Sequence, residues 1–262
     1  MSQPLWTDRE ANALLDESRL AMLAEGAQRL HWDAFLAQFK PQPGEHIGII
    51  GSTGKGKTVL QTSLAQLFPF IAVFATKAQD ISMDHLIERG KYIRLSRWHR
   101  LNPIDFPRRV IWPDASHIDS EALQQKVFKE ALAMIFREGG RPRQKPTGWA
   151  VVVDELWYLS TQLGLKRNIS TFLYQGRSLG HTAILATQRP FDVNTEVYDQ
   201  STHLFFFKFD EYRALQRLSE MQTSNRQLVR YAVPRLEDFQ VLYVHNHSGL
   251  MYRTRIPATL AL

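Results

Sequence analysis

Cysteine is absent from the 262 residues, so disulfides, thiolate metal sites and cysteine nucleophiles are excluded together. Long apolar runs are missing too. No stretch approaches the roughly 18 residues that a bilayer span needs, and no transmembrane segment is expected. The first residues, Met1 to Asp8, carry neither a basic start nor a following apolar run, which argues against a secretory leader and for a cytoplasmic chain. No internal repeat and no low-complexity tract is visible. What is present is ordinary for a soluble domain with a sizeable core: 44% hydrophobic and 22% charged residues. A formal charge of +6 leans toward a polyanionic partner, with the placement of the charge mattering more than its total.

Residues Thr7 to Leu30 hold apolar side chains at helical spacing, and Thr7 with Glu10 fits a capping box, so N-terminal helices are expected. Trp32, Phe35, Leu36 and Phe39 extend the pattern until Pro41, Pro43 and Gly44 stop it. A boundary near residue 42 follows, dividing an N-terminal helical segment, 1–42, from a main domain, 43–262. Those helices would dock on their own core or on a neighbouring subunit, and the second is favoured.

After the boundary, strand and helix alternate: His46 to Ile50, Lys57 to Phe68, Phe70 to Ala75, then Ser120 to Arg137, Trp149 to Val153, Lys166 to Leu179, Thr182 to Ala186 and His203 to Lys208. That order implies an α/β fold around a parallel sheet. Asp80 to Pro113 reads as irregular, with short strands at Lys91 to Leu95 and Arg109 to Trp112. A helix at Asp210 to Met221 and a C-terminal β-hairpin, Gln240 to Asn246 with Leu250 to Ile256, complete the chain.

Gly51-Ser52-Thr53-Gly54-Lys55-Gly56-Lys57-Thr58 lies between a buried strand and a helix that continues at Val59. Glycines there let backbone N–H groups converge on phosphate oxygens at a helix N-terminus. Lys57 would reach the β- and γ-phosphates and Thr58 would give its hydroxyl to Mg²⁺, so Gly51 to Val59 form the expected ATP-binding loop. Val151 to Val153 lead into Asp154 and Glu155, an acidic pair at a strand end. Asp154 is read as a Mg²⁺ ligand, and Glu155 as the group that orients or deprotonates the attacking water. The second carboxylate favours hydrolysis over kinase chemistry. Gln188 closes the next strand, suited to sensing the γ-phosphate, and Arg177 ends the helix before it.

The order of these motifs, ending in Gly176-Arg177-Ser178-Leu179-Gly180-His181 and Ala186-Thr187-Gln188-Arg189-Pro190, resembles the FtsK/HerA superfamily of hexameric DNA-pumping ATPases over about Gly44 to Phe209. The resemblance implies a P-loop NTPase with a RecA-like sheet. It further implies a catalytic Glu155, a sensor Gln188, and Arg177 as an arginine finger on the adjacent subunit. By size, and lacking the membrane helices, winged-helix domain and β-barrel of cellular members, the chain is similar to DNA-packaging or DNA-transfer motors of phages and mobile elements. The expected function is ATP-driven movement of double-stranded DNA by a ring, in the host cytoplasm or a virion. The alternative is a nucleotide-gated assembly or morphogenesis ATPase.

Other features weigh less. Arg89, Lys91, Arg94, Arg97, Arg100, Arg108 and Arg109, interleaved with Tyr92 and Trp98, form a basic stretch that would track phosphates and stack bases, or else be a solvated face or subunit contact. Arg137, Arg141, Arg143 and Lys145 invite the same two readings. Lys77 and Asp80 follow the second core strand on the ligand side of the sheet, with either a nucleotide or intersubunit role or the bland reading of loop charges. Trp157, Tyr158 and Leu159 read as packing, and His245 and His247 as part of a turn rather than a metal site.

Overall fold

The computed structural model describes residues 19, 28–116, 119–138, 148–192, 195–209, 211–220 and 226–258. The strands are β1 (Gln28–Arg29), β2 (His46–Ile50), β3 (Phe70–Phe74), β4 (Ile93–Leu95), β5 (Arg108–Ile111), β6 (Trp149–Val153), β7 (Thr182–Thr187), β8 (Ser201–Phe207), β9 (Gln240–His245) and β10 (Met251–Arg255). They make one sheet in the order β1-β10-β9-β8-β2-β7-β6-β3-β5-β4. From β8 to β4 every neighbouring pair is parallel, whereas β9 runs antiparallel to β8 and to β10.

Every residue of β2, β6, β7 and β8 is buried, which is why Trp149–Val153 of β6 reads as an unbroken apolar run. Side chains alternate between the two faces. One face, with Ile50, Val151, Val153, Leu185 and Phe206, packs on α4 (Ser120–Glu138), α5 (Lys166–Gly176) and α8 (Arg226–Ala232). The other, with Ile47, Ile49, Val152, Ile184 and Phe205, packs on α1 (Trp32–Gln38), α2 (Lys57–Ala65) and α3 (Ile81–Glu88). Two further helices are α6 (Thr195–Gln200) and α7 (Tyr212–Glu220).

Several segments differ from the sequence expectations. Most of Thr7 to Leu30 lies outside the described residues, but its end is not helical: Gln28–Arg29 is a strand added beside β10, whose backbone groups would otherwise face solvent. The described helix α1 docks on its own sheet through Trp32 and Phe35. Phe35 stacks on Phe39 at 5.4 Å and meets Tyr243 edge-on at 5.2 Å. Within the stretch read as irregular, Asp80 caps α3 by accepting the Ser82 N–H at 3.0 Å. Only Met83 and Leu86 of that helix are buried, too few for a visible period. The helix α8 was also not expected.

Candidate active site

Because β2, β3, β6 and β7 are parallel, their C-terminal ends gather on one side of the sheet. Residues far apart in sequence meet there. The loop after β2 turns through Gly54 and Gly56, with φ of +74° and +101°. Gly56 is the N-cap of α2 and no side chain caps that end, so the first helical N–H groups stay available to an anion. The loop also fits closely: a Cβ on Gly51 would lie 2.5 Å from the Cβ of Phe207. Val59 turns its side chain to the apolar cluster, which leaves only its backbone for a ligand.

Lys57 is buried and donates from Nζ to the Ser52 carbonyl at 2.8 Å. Burial holds its pKa below the usual lysine value, against the attraction of Asp154 and Glu155. The Thr58 hydroxyl donates to Asp154 Oδ1 at 3.0 Å, although 96 residues separate them. This pair of hard oxygens is the donor set a Mg²⁺ ion takes, and the helix start that no side chain caps suits a phosphate chain. Gln61, a polar residue on the apolar face of α2, ties helix to sheet: its Nε2 donates to the Val153 and Ile184 carbonyls at 2.7 and 3.0 Å. Sequence reading missed that role, for which a polar residue at a core position was the available signal.

Glu155 lines a cleft of about 250 Å³ with Thr76, Lys77, Trp157, Tyr158, Gln188 and Arg189. Its Oε1 is buried without a hydrogen-bond partner among the described residues. Desolvation by burial raises its pKa above the usual carboxylate value, opposed first by the nearby Lys57 ammonium. Gln188 accepts a hydrogen bond from the Thr53 hydroxyl of the phosphate loop. Arg189 lies over the Trp157 ring at 4.4 Å, so Trp157 and Tyr158 border the cleft as well as packing.

Lys77 also belongs here, more firmly than its sequence position suggested. Its Nζ stands 3.6 Å from Asp154 Oδ2 and 3.4 Å from Asp80 Oδ2. Burial lowers its pKa, but the two carboxylates outweigh that and the net shift is upward. Lys55, by contrast, points away from the cleft to Asp238 near the C-terminal hairpin.

Arg177 is not brought to this cluster. It is exposed and donates to the Gly44 and Gln200 carbonyls at 3.3 and 3.2 Å and to Thr202 Oγ1 at 3.0 Å, at the N-terminal ends of β2 and β8. The five residues of β2, about 16 Å of strand, separate it from the phosphate loop.

The solved structure of the genome packaging NTPase B204 from Sulfolobus turreted icosahedral virus 2, in complex with sulfate, superposes with a TM-score of 0.59 at 16% identity. The match covers 83% of this chain and 98% of that one. The plasmid coupling protein TrwB, in complex with the ATP analogue ADPNP, gives a TM-score of 0.62 at 11% identity, covering 89% and 94%. The fold is that of a P-loop NTPase. The likeness to FtsK/HerA-type ATPases read from the motifs is borne out at the level of fold. The cytoplasmic domain of the type VII secretion ATPase EccC from Thermomonospora curvata shares this P-loop NTPase fold over 82% of this chain and 25% of its own, at 15% identity and a TM-score of 0.50. No protein-family model and no curated protein matches the sequence.

The basic stretch around residue 100 is corrected by the structure. Tyr92 and Trp98 are buried, so neither stacks a base. Arg109 is buried too, 4.5 and 4.6 Å from the Trp98 and Trp149 rings, and donates to the carbonyls of Phe106, His99 and Leu101. Arg89, Lys91, Arg94, Arg97 and Arg100 remain exposed. Of the second basic loop, Arg141, Arg143 and Lys145 lie outside the described residues. Among the described residues no group of His, Asp or Glu is arranged to hold a metal by itself, and no helix is long and apolar enough to cross a membrane.

Proposed function

We propose that this chain hydrolyses ATP at the cleft and works as a subunit of an oligomeric, ring-forming motor that moves double-stranded DNA. The carrying observation is the convergence of Lys57, the Thr58–Asp154 pair, Glu155 and Gln188 at the ends of adjacent parallel strands. Near-complete coverage of a packaging NTPase and a plasmid coupling protein supports the motor reading, as do the five exposed cations between Arg89 and Arg100.

In this reading Lys57 and the N–H groups of the loop hold the phosphates. Thr58 and Asp154 would hold Mg²⁺, which when bound neutralises phosphate charge. The Glu155 carboxylate accepts a proton from water as the water oxygen attacks the terminal phosphorus and ADP leaves. Gln188, released from Thr53, orients that water. Arg177 is too far from its own loop to take part, so its finger role belongs to the site of a neighbouring copy.

ATP turnover measured with double-stranded, single-stranded and no DNA tests the motor. A several-fold rise on duplex DNA is expected, with an oligomer in the same Mg²⁺-ATP solution by mass measurement. A rate indifferent to DNA would sink the motor and leave the nucleotide-gated assembly reading; monomers alone would remove the role of Arg177.

A further inference from the structure

The Lys77 side chain serves no packing purpose. It is 56% exposed, and an exposed lysine–carboxylate pair contributes little to stability. Its backbone, in contrast, is fixed: the indole N–H of the buried Trp112 donates to the Lys77 carbonyl at 2.7 Å. The result is a flexible four-carbon stem on a rigid base at the C-terminal end of β3, bordering the same cleft as Glu155 and Gln188. Both of its carboxylate partners are held by other groups, Asp80 by the Ser82 N–H and Asp154 by the Thr58 hydroxyl. At 3.4 and 3.6 Å both contacts are also longer than a charge-assisted hydrogen bond, so the ammonium is loosely tethered.

We propose that Lys77 is a second phosphate-directed cation of this site, resting on Asp154 and Asp80 until Mg²⁺-ATP arrives and then engaging the terminal phosphate from the side of Glu155 and Gln188. The inference rests on the hydrolytic reading above. Thr58 and Asp154 would hold the divalent cation, whose charge would loosen the Lys77 ammonium from Asp154 Oδ2, and the open cleft is where the stem can swing. Asp80 limits the swing by competing for the same charge. Lys57 and Lys77 thus divide the work: the first belongs to the loop in every nucleotide state, the second only to the triphosphate.

The test is equilibrium binding of fluorescent ATP and ADP analogues, each with Mg²⁺, to the full chain carrying Lys77→Met, Lys77→Arg or Asp80→Asn. Lys77→Met is expected to weaken the ATP analogue by about 10-fold and leave the ADP analogue unchanged, since only the third phosphate loses a charge-assisted partner. Lys77→Arg should restore part of the preference, and Asp80→Asn should increase it. Equal losses for both nucleotides, or no loss for either, would overturn the assignment and make Lys77 a structural ion pair. A wild-type chain that binds neither nucleotide would overturn the hydrolytic reading itself, and this inference with it.

Discussion

His46 and His181 show how single side chains set a condition on the fold. The Nε2–H of His46 donates to the Leu173 carbonyl at 2.8 Å, and its Nδ1 accepts the Ala183 N–H at 3.0 Å, which fixes a neutral tautomer. His181 Nδ1 accepts the Trp149 N–H at 3.1 Å. Burial pushes both down to about 4. The unfolded chain therefore binds protons that the folded chain refuses, and stability rises with pH between about 4 and 6.5. Each histidine contributes up to about 3 kcal/mol that is lost as pH falls through that window. Urea midpoints are expected to drop from about pH 7 to pH 5, above the range where ordinary carboxylates titrate; a flat midpoint would contradict the buried neutral pair.

At the scale of elements, legibility followed burial and local pattern. The strand β6 was readable to the residue because a parallel strand covered on both faces is an unbroken apolar run, and β2 because Ile47, Ile49 and Ile50 lead straight into the phosphate loop. The phosphate loop was readable because its glycines and lysine are contiguous. The helix α3 was not, since only two of its residues are buried. Nor was the fate of the basic stretch: Arg109 reads as a surface charge, and only the pairing of β3 with β5 carries it beneath Trp98 and Trp149. Both indoles donate at 3.1 Å to the half-buried Glu138 of α4, so the buried cation, the two rings and that carboxylate form one unit joining the sheet edge to the helix. Arg109→Ala is expected to cost about 3 kcal/mol by chemical denaturation, because it leaves that network without its charge. A loss of duplex affinity at unchanged stability would return Arg109 to the DNA surface.

At the scale of the molecule, the strand order does the assembling. With β7 between β2 and β6, the loop Gly51–Thr58, the acids Asp154 and Glu155, and Gln188 sit on three adjacent strand ends. The same order holds Arg177 at the opposite end of β2, a separation legible only from the topology. Lys77 was underweighted for the complementary reason: its neighbours in sequence say nothing of Asp154, 77 positions further on, which the pairing of β3 with β6 places beside it. The central claim, that this arrangement hydrolyses ATP with Glu155 as the base, is tested most directly by comparing wild type with Glu155→Gln for nucleotide binding and steady-state ATP turnover. Retained binding with turnover reduced by roughly 10²–10⁴-fold is the expected result; turnover at the wild-type rate in Glu155→Gln would contradict it.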